Sequence, residues 1–185
     1  MSKKKYNFYS LYSQLDLPYL ETNESFIKDI FEILETKFSL KKDSNQRFID
    51  LGCGDGRVVI YATLHYGIQS TGVEINLNLI EEANSNLKLL KANKTYDKKQ
   101  LKKIRIRYED LFQLNLAKYD FIYIFSLPTM QRFLKHIFVT IRNGAIITSH
   151  KYPLLNFESF LKLEEEIELK SENQQETSAF FYRKF

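Results

Sequence analysis

Residues 50–57 read Asp50, Leu51, Gly52, Cys53, Gly54, Asp55, Gly56, Arg57, and this stretch decides the fold. The run Arg47, Phe48, Ile49, Asp50, Leu51 predicts a short buried strand, and it breaks into glycines at alternate positions, Gly52, Gly54 and Gly56. Beyond them Val58, Val59, Tyr61, Ala62 and Leu64 continue with helical character, so the loop stands where a strand hands over to the N-terminus of a helix. Glycines at such a turn let a ligand approach the main chain closely. Free N–H groups and the positive end of the helix favour an anionic or hydroxyl-rich partner, which points to a nucleotide-like cofactor. Cys53, between two of the glycines, reads as a small residue accommodated beside a ligand rather than as a nucleophile.

The second half of the signal lies one strand further on. Residues 69–75 predict another strand, and its acid Glu74 stands 24 positions after Asp50. A carboxylate at that place offers two oxygens to the two hydroxyls of a ribose. The loop is GxGxG with Arg57 where a dinucleotide fingerprint has its third glycine, so a pyrophosphate ligand fits poorly. Asp50, the three glycines and the GVEI of residues 72–75 together resemble the class I, seven-stranded S-adenosylmethionine (SAM) methyltransferases.

Composition sets the outer bounds. The chain has 185 residues, 44% hydrophobic and 15% aromatic, enough apolar material for one domain with a core. The reading is one domain over 1–185, with an arm and helix in 1–45 and the SAM-binding core in 46–185. No apolar run reaches the ~18 residues of a membrane span, and the N-terminus lacks a secretory pattern, so a cytoplasmic protein without membrane insertion is expected. One cysteine and three histidines, His65, His136 and His150, offer no metal cluster. Net charge is +4, with basic residues gathered at Lys3 to Lys5 and between Lys91 and Arg107; the reading is a solvated surface, with a docking patch as the alternative.

In chain order, residues 1–15 suggest a loosely packed arm. Phe26, Ile27, Ile30, Phe31, Ile33, Leu34 and Phe38 predict an amphipathic helix capped by Thr22 or Asn23. Asn76 caps a predicted helix reaching about Ala92, and strands follow at 104–108 and 119–125. A helix over 129–141 and a strand over 145–149 complete the alternation, which implies a Rossmann-like, doubly wound α/β sheet with ligands at the carboxyl ends of its strands. Residues 163–169 and 178–185 are separated by too few residues for a crossover helix, so they predict a C-terminal antiparallel hairpin beside the parallel strands. A mostly parallel seven-stranded sheet ending in such a hairpin is similar to the class I methyltransferases.

A narrower likeness follows from residues 18–22 (PYLET), the glycine loop, GVEI, Asp110 to Phe112, the strand ending at Phe125 and the SHKY of residues 149–152. Together they resemble the small archaeal and mitochondrial protein lysine methyltransferases. The motif of that group is matched at Pro18, Tyr19 and Thr22, with Glu21 in place of its second proline. Base-amino methyltransferases carry (D/N)PP(Y/F) after the fourth strand; here the strand ends FSLP, residues 125–128, and that signature is absent. The resemblance implies that Asp50 and Gly52 face the methionine end of SAM, that Gly54 lines it, and that Glu74 takes the ribose. It implies further that Asp110 lies by the adenine amino group, with Ile75 and Leu111 on the ring, and that Tyr19, Thr22, Cys53, Asp55, Gly56 and Phe125 complete the cofactor side. S-adenosylhomocysteine is the implied product.

A sulfonium already carries a good leaving group, so the enzyme's work is to hold an amine in line and exclude water. A lysine amine, with pKa ~10.4, must lose its proton first, and an apolar aromatic channel disfavours the ammonium. Tyr19, Tyr123, Phe125 and Tyr152 are candidates to line that channel, and His150 to orient the amine; no dedicated general base is expected. The acceptor reads as a protein lysine. RNA or a small molecule is the alternative acceptor, a non-catalytic SAM-binding protein is a remoter one, and a nicotinamide oxidoreductase is disfavoured by the missing glycine.

Overall fold

The computed structural model describes residues 21–93, 95–170 and 175–185. Its strands are β1 (Arg47–Leu51), β2 (Gln69–Glu74), β3 (Ile104–Tyr108), β4 (Phe121–Ile124), β5 (Ile146–His150), β6 (Leu161–Lys170) and β7 (Glu176–Lys184). They form one sheet in the order β3-β2-β1-β4-β5-β7-β6. The first five strands pair in parallel, while β7 runs antiparallel to both β5 and β6. The order reverses direction between β1 and β4, so a crevice opens there at the carboxyl ends, and the glycine loop leaves β1 into it.

Alternation along the strands explains why both faces are covered. Ile49, Leu51, Ile122 and Ile124 turn to one core with Leu134, Ile137 and Phe138. Phe48, Phe121 and Tyr123 turn to the other, formed with α1 (Glu24–Phe38) and α2 (Arg57–Tyr66). Helix α1 forms because Phe26, Ile27, Ile30, Phe31, Leu34 and Phe38 make one buried stripe, and because Asn23 accepts from the Ser25 N–H at 2.9 Å. Lys37 then ties the helix to Glu165 of β6 at 2.6 Å. Helix α3 (Leu77–Ala92) starts on the expected cap, Asn76.

Three expectations are corrected. The single helix over 129–141 is two one-turn helices, α5 (Pro128–Gln131) and α6 (Lys135–Phe138), because the chain takes repeated i→i+3 bonds such as Phe133 N–H to Met130 and Leu134 N–H to Gln131. Packing of Met130, Leu134, Ile137 and Ile141 into the core, and Thr140 Oγ1 accepting from Leu116 N–H, hold that tighter course against helix propensity. A short helix absent from the expectation, α4 (Lys98–Leu101), interrupts the basic stretch, capped by Asp97. The fourth and fifth strands are shifted to Phe121–Ile124 and Ile146–His150, so Phe125 follows its strand and His150 lies within one. No helix among the described residues is long and apolar enough to cross a membrane.

Candidate functional site

The glycine loop is held on β2 by main chain. The N–H groups of Gly52 and Cys53 both donate to the Val73 carbonyl at 2.9 Å. Gly52 has φ +85°, and a Cβ there would meet nothing within 4 Å, so its open side faces free space. That conformation disfavours side-chain-bearing residues and leaves room for a ligand against the backbone. Glu74 closes the other wall: Oε2 accepts from Gly54 N–H at 3.1 Å, and Oε1 from Ile75 and Asn76 N–H at 2.8 and 2.9 Å.

Asp50 lies between these walls, buried at 3% exposure. No hydrogen bond or ion pair reaches its carboxylate among the described residues. Burial first, then the charges of Glu74 and Asp55, raise its pKa well above the usual carboxylate range. An acid placed so holds its proton on its own and ionises against a cation brought in from outside.

Asp55 is committed elsewhere. Its oxygens accept from Arg57 Nε at 3.0 Å and pair with the guanidinium at 2.6 Å, and Arg57 goes on to the Thr22 carbonyl at 3.3 Å and to Glu21 at 3.1 Å. Arg57, which sequence reading noted only as a missing glycine, therefore stitches the loop to the segment before α1. The signal was local: an acid two residues before an arginine, with a second acid in the preceding motif.

Cys53 offers the crevice its main chain only. Its thiol turns into a small core with Val59, Leu87, Leu101 and Ile104, and burial drives its pKa up. Gly72 on β2 makes the space: a Cβ there would lie 2.5 Å from Cys53 Sγ.

Across the crevice, side chains form a chain of contacts. The Tyr123 hydroxyl of β4 lies 3.2 Å from Thr22 Oγ1 and 2.7 Å from His150 Nδ1 of β5. Register places Tyr123 beside Asp50. Burial and the Asp50 charge keep the phenol protonated, and burial, followed by the Lys151 charge, lowers the His150 pKa to about 4. With a neutral imidazole and a protonated phenol, each link carries one proton in either direction. The Phe125 ring stands 4.8 Å from His150 and Phe26 edges it at 6.1 Å, the latter missed by sequence reading because its spacing marks it only as a core residue of α1.

The structure thus brings Thr22, Asp50, Gly52, Gly54, Glu74, Tyr123, Phe125 and His150 to one end of the sheet. Tyr152 stands just beyond β5, half-buried, its carbonyl accepting from Ser149 Oγ at 2.7 Å. Asp110 caps a one-turn 3₁₀ helix (Leu111–Gln113), accepting from Phe112 N–H at 2.9 Å, and Leu111 packs on the neighbouring core. Gly56 starts α2, and Tyr19 lies outside the described residues. A cavity of about 560 Å³ between α2 and α3 is lined by none of the crevice acids Asp50 and Glu74. No group of three or more His, Cys, Asp or Glu fit to hold a metal occurs among the described residues.

Residues 50–160 match the family described as "ANTKMT methyltransferase domain". A protein-lysine N-methyltransferase of Saccharolobus islandicus (strain REY15A) is 26% identical over 140 residues, covering 75% of this chain and 78% of that protein. A lysine N-methyltransferase of Caenorhabditis elegans, named for a subunit of ATP synthase, is 26% identical over 151 residues, 82% of this chain and 74% of that one. In fold, the chain is similar to an RNA methyltransferase from Salinibacter ruber solved with S-adenosyl-L-homocysteine, with TM-score 0.70, 20% identity, and coverage of 89% and 94% of the two chains.

Proposed function

The chain belongs to the ANTKMT methyltransferase domain family, and on that premise we propose that it transfers a methyl group from SAM to the side-chain amine of a protein lysine. One observation carries the cofactor half: the buried Asp50 carboxylate has no cation among the described residues and lies beside a loop whose Gly52 leaves its face open. A ligand bearing a sulfonium and an ammonium fits that field, and Glu74 at the end of β2 fits its ribose. Bound there, SAM supplies an electrophilic methyl whose leaving group is a neutral thioether.

The chain's own residues do the rest. Gly52 and Gly54 hold the ligand against main chain, and Asp50 and Glu74 supply the negative wall. Phe125 and the neutral His150 keep the acceptor's path apolar, which favours an uncharged amine over an ammonium. Thr22 and Tyr123 fix the imidazole's plane, so the wall does not need to reorganise when the acceptor arrives. The lysine acceptor is supported by the two named relatives.

A second reading, an RNA acceptor, is favoured by a groove of about 490 Å³ along β3 lined by Lys91, Arg105, Arg107 and Lys118. Incubation with radiolabelled SAM and cell extract separates the two. Label lost to protease and recovered as methyl-lysine is expected; label lost to nuclease instead would overturn the lysine reading.

A further inference from the structure

Strand β3 ends the sheet, with β2 on one side and no strand on the other among the described residues. The Lys103 carbonyl accepts from Ser70 N–H at 3.2 Å, and Glu109 N–H donates to the Glu74 carbonyl at 3.1 Å, so alternate residues from Lys103 to Glu109 turn their main-chain groups to β2. On a strand the next residue's groups turn the opposite way. Ile104, Ile106 and Tyr108 therefore hold their N–H and C=O groups out from the edge of the sheet, in a register without a bulge.

The groove of about 490 Å³ runs along that edge. Its lining takes side chains from both faces of the strand, Ile104 and Ile106 from one and Arg105 and Arg107 from the other, which only a space lying along the edge can touch. Leu87 adds to its apolar part, and Lys91 and Lys118 add to its charge. No acid joins the lining among the described residues. Arg107 reaches Glu109 at 2.7 Å, whereas Lys91, Arg105 and Lys118 form no ion pair among them. Charged side chains on an edge serve in general to prevent stray pairing. Those in this lining are all of one sign, so they repel a basic strand and draw an acidic one.

We propose that this edge takes an extended acidic segment of the protein acceptor as an added strand: its main chain pairs with Ile104, Ile106 and Tyr108, and its carboxylates meet Arg105 and Arg107. Nucleic acid would satisfy the cations, but it has no strand-spaced amides with which to continue a sheet. The edge also leads to the right place. Tyr108 pairs with Glu74, so the carboxyl end of β3 comes to the rim of the crevice. From there β4 is three strands away, about 14 Å at the usual strand spacing, which an extended chain covers in about four or five residues. The acidic run and the methylated lysine are therefore separated by at least that many residues. That the segment belongs to the acceptor rests on the lysine reading above.

The test uses the full chain and three labelled probes: a peptide of alternating glutamate and valine, the same peptide with lysine for glutamate, and oligouridylate. The parent is expected to bind the first and not the second. Arg105→Glu should weaken that binding about 10-fold and raise the KM of the protein acceptor by the same factor, with kcat and SAM affinity held within about twofold. Tyr108→Pro removes one outward N–H and no bond to β2, and should weaken peptide binding about 3- to 10-fold; a role of charge alone would not respond to it. Where the proline lowers the thermal midpoint, Arg105→Glu decides. Equal binding of the two peptides, or a KM unmoved by Arg105→Glu, overturns the assignment. So does oligouridylate binding that falls with Arg105→Glu and holds with Tyr108→Pro, which would give the groove to nucleic acid. Glutamate-peptide binding by a parent that labels only RNA would sink the lysine reading and leave the edge standing as a site for acidic peptides; methyl-lysine formed without that binding would do the reverse.

Discussion

Around the glycine loop the binding wall is made by main chain. The Val73 carbonyl receives two loop amides, and the Glu74 carboxylate receives a third loop amide from Gly54 and two more amides from Ile75 and Asn76 after β2. Around the ends of β4 and β5 it is made by side chains from distant parts of the sequence, Thr22, Tyr123 and His150, with one hydroxyl bridging the other two. The first wall depends on backbone conformation and tolerates few residue types. The second depends on burial and proton placement, so it can be retuned one side chain at a time while the first stays fixed.

The largest effect should come from breaking the backbone wall. Gly56 has φ +81°, and a Cβ there would press on Ile106 Cδ1 at 3.2 Å and Ala83 Cβ at 3.3 Å. Gly56→Val combines left-handed strain with overpacking and should cost about 4 kcal/mol in a urea denaturation. A cost below about 1 kcal/mol would erase the contrast.

Next comes pH, which reads the side-chain wall. The His150 imidazole has its ordinary pKa of 6.5 unfolded and about 4 folded. Between those values the unfolded chain binds the proton and the folded chain does not. This contribution is therefore complete above pH 6.5 and declines by about 3 kcal/mol as pH falls toward 4. Asp50, with its raised pKa, works in the opposite direction, so the difference between parent and His150→Gln isolates the imidazole. The gap between the urea midpoints of parent and variant at pH 7.5 should shift at pH 5 as the parent alone loses the imidazole's contribution; an unchanged gap would show the imidazole to be accessible to protons.

Tyr123→Phe sharpens the division between the walls. It leaves His150 Nδ1 and Thr22 Oγ1 without their shared hydroxyl and should cost about 2 kcal/mol of stability. SAM affinity measured by calorimetry should not move, and turnover should fall. A loss of affinity would mean that the two walls are one unit. The smallest effect belongs to Glu21→Ala. That acid is 62% exposed where it meets Arg57, so its removal should change stability by less than about 0.5 kcal/mol at physiological salt.

The same contrast explains what could be read from the sequence. The loop, Glu74, the Asn76 cap and the C-terminal hairpin are encoded within short windows, where glycine spacing, alternation and caps act locally. Residues 129–141 have a helical pattern of apolar positions, yet packing divides them into two turns, which no local preference announces. The chain Thr22, Tyr123, His150 spans most of the protein and comes together only when β4 and β5 are side by side. The burial of Ser126 and Gln131 stayed invisible for a different reason: a lone serine and a lone glutamine look like surface until the packing around them is known.

The pairing of Cys53 with Gly72 has a practical consequence. It is the sole thiol in the 185 residues, and it can meet an alkylating reagent only when the segment lifts away from the second strand. The rate of its modification by iodoacetamide is therefore a clock for local opening at that spot, readable by mass without any introduced label. Whatever clamps the segment shut will slow the clock, so candidate small molecules can be ranked by protection of one sulfur atom, before any reaction has been identified.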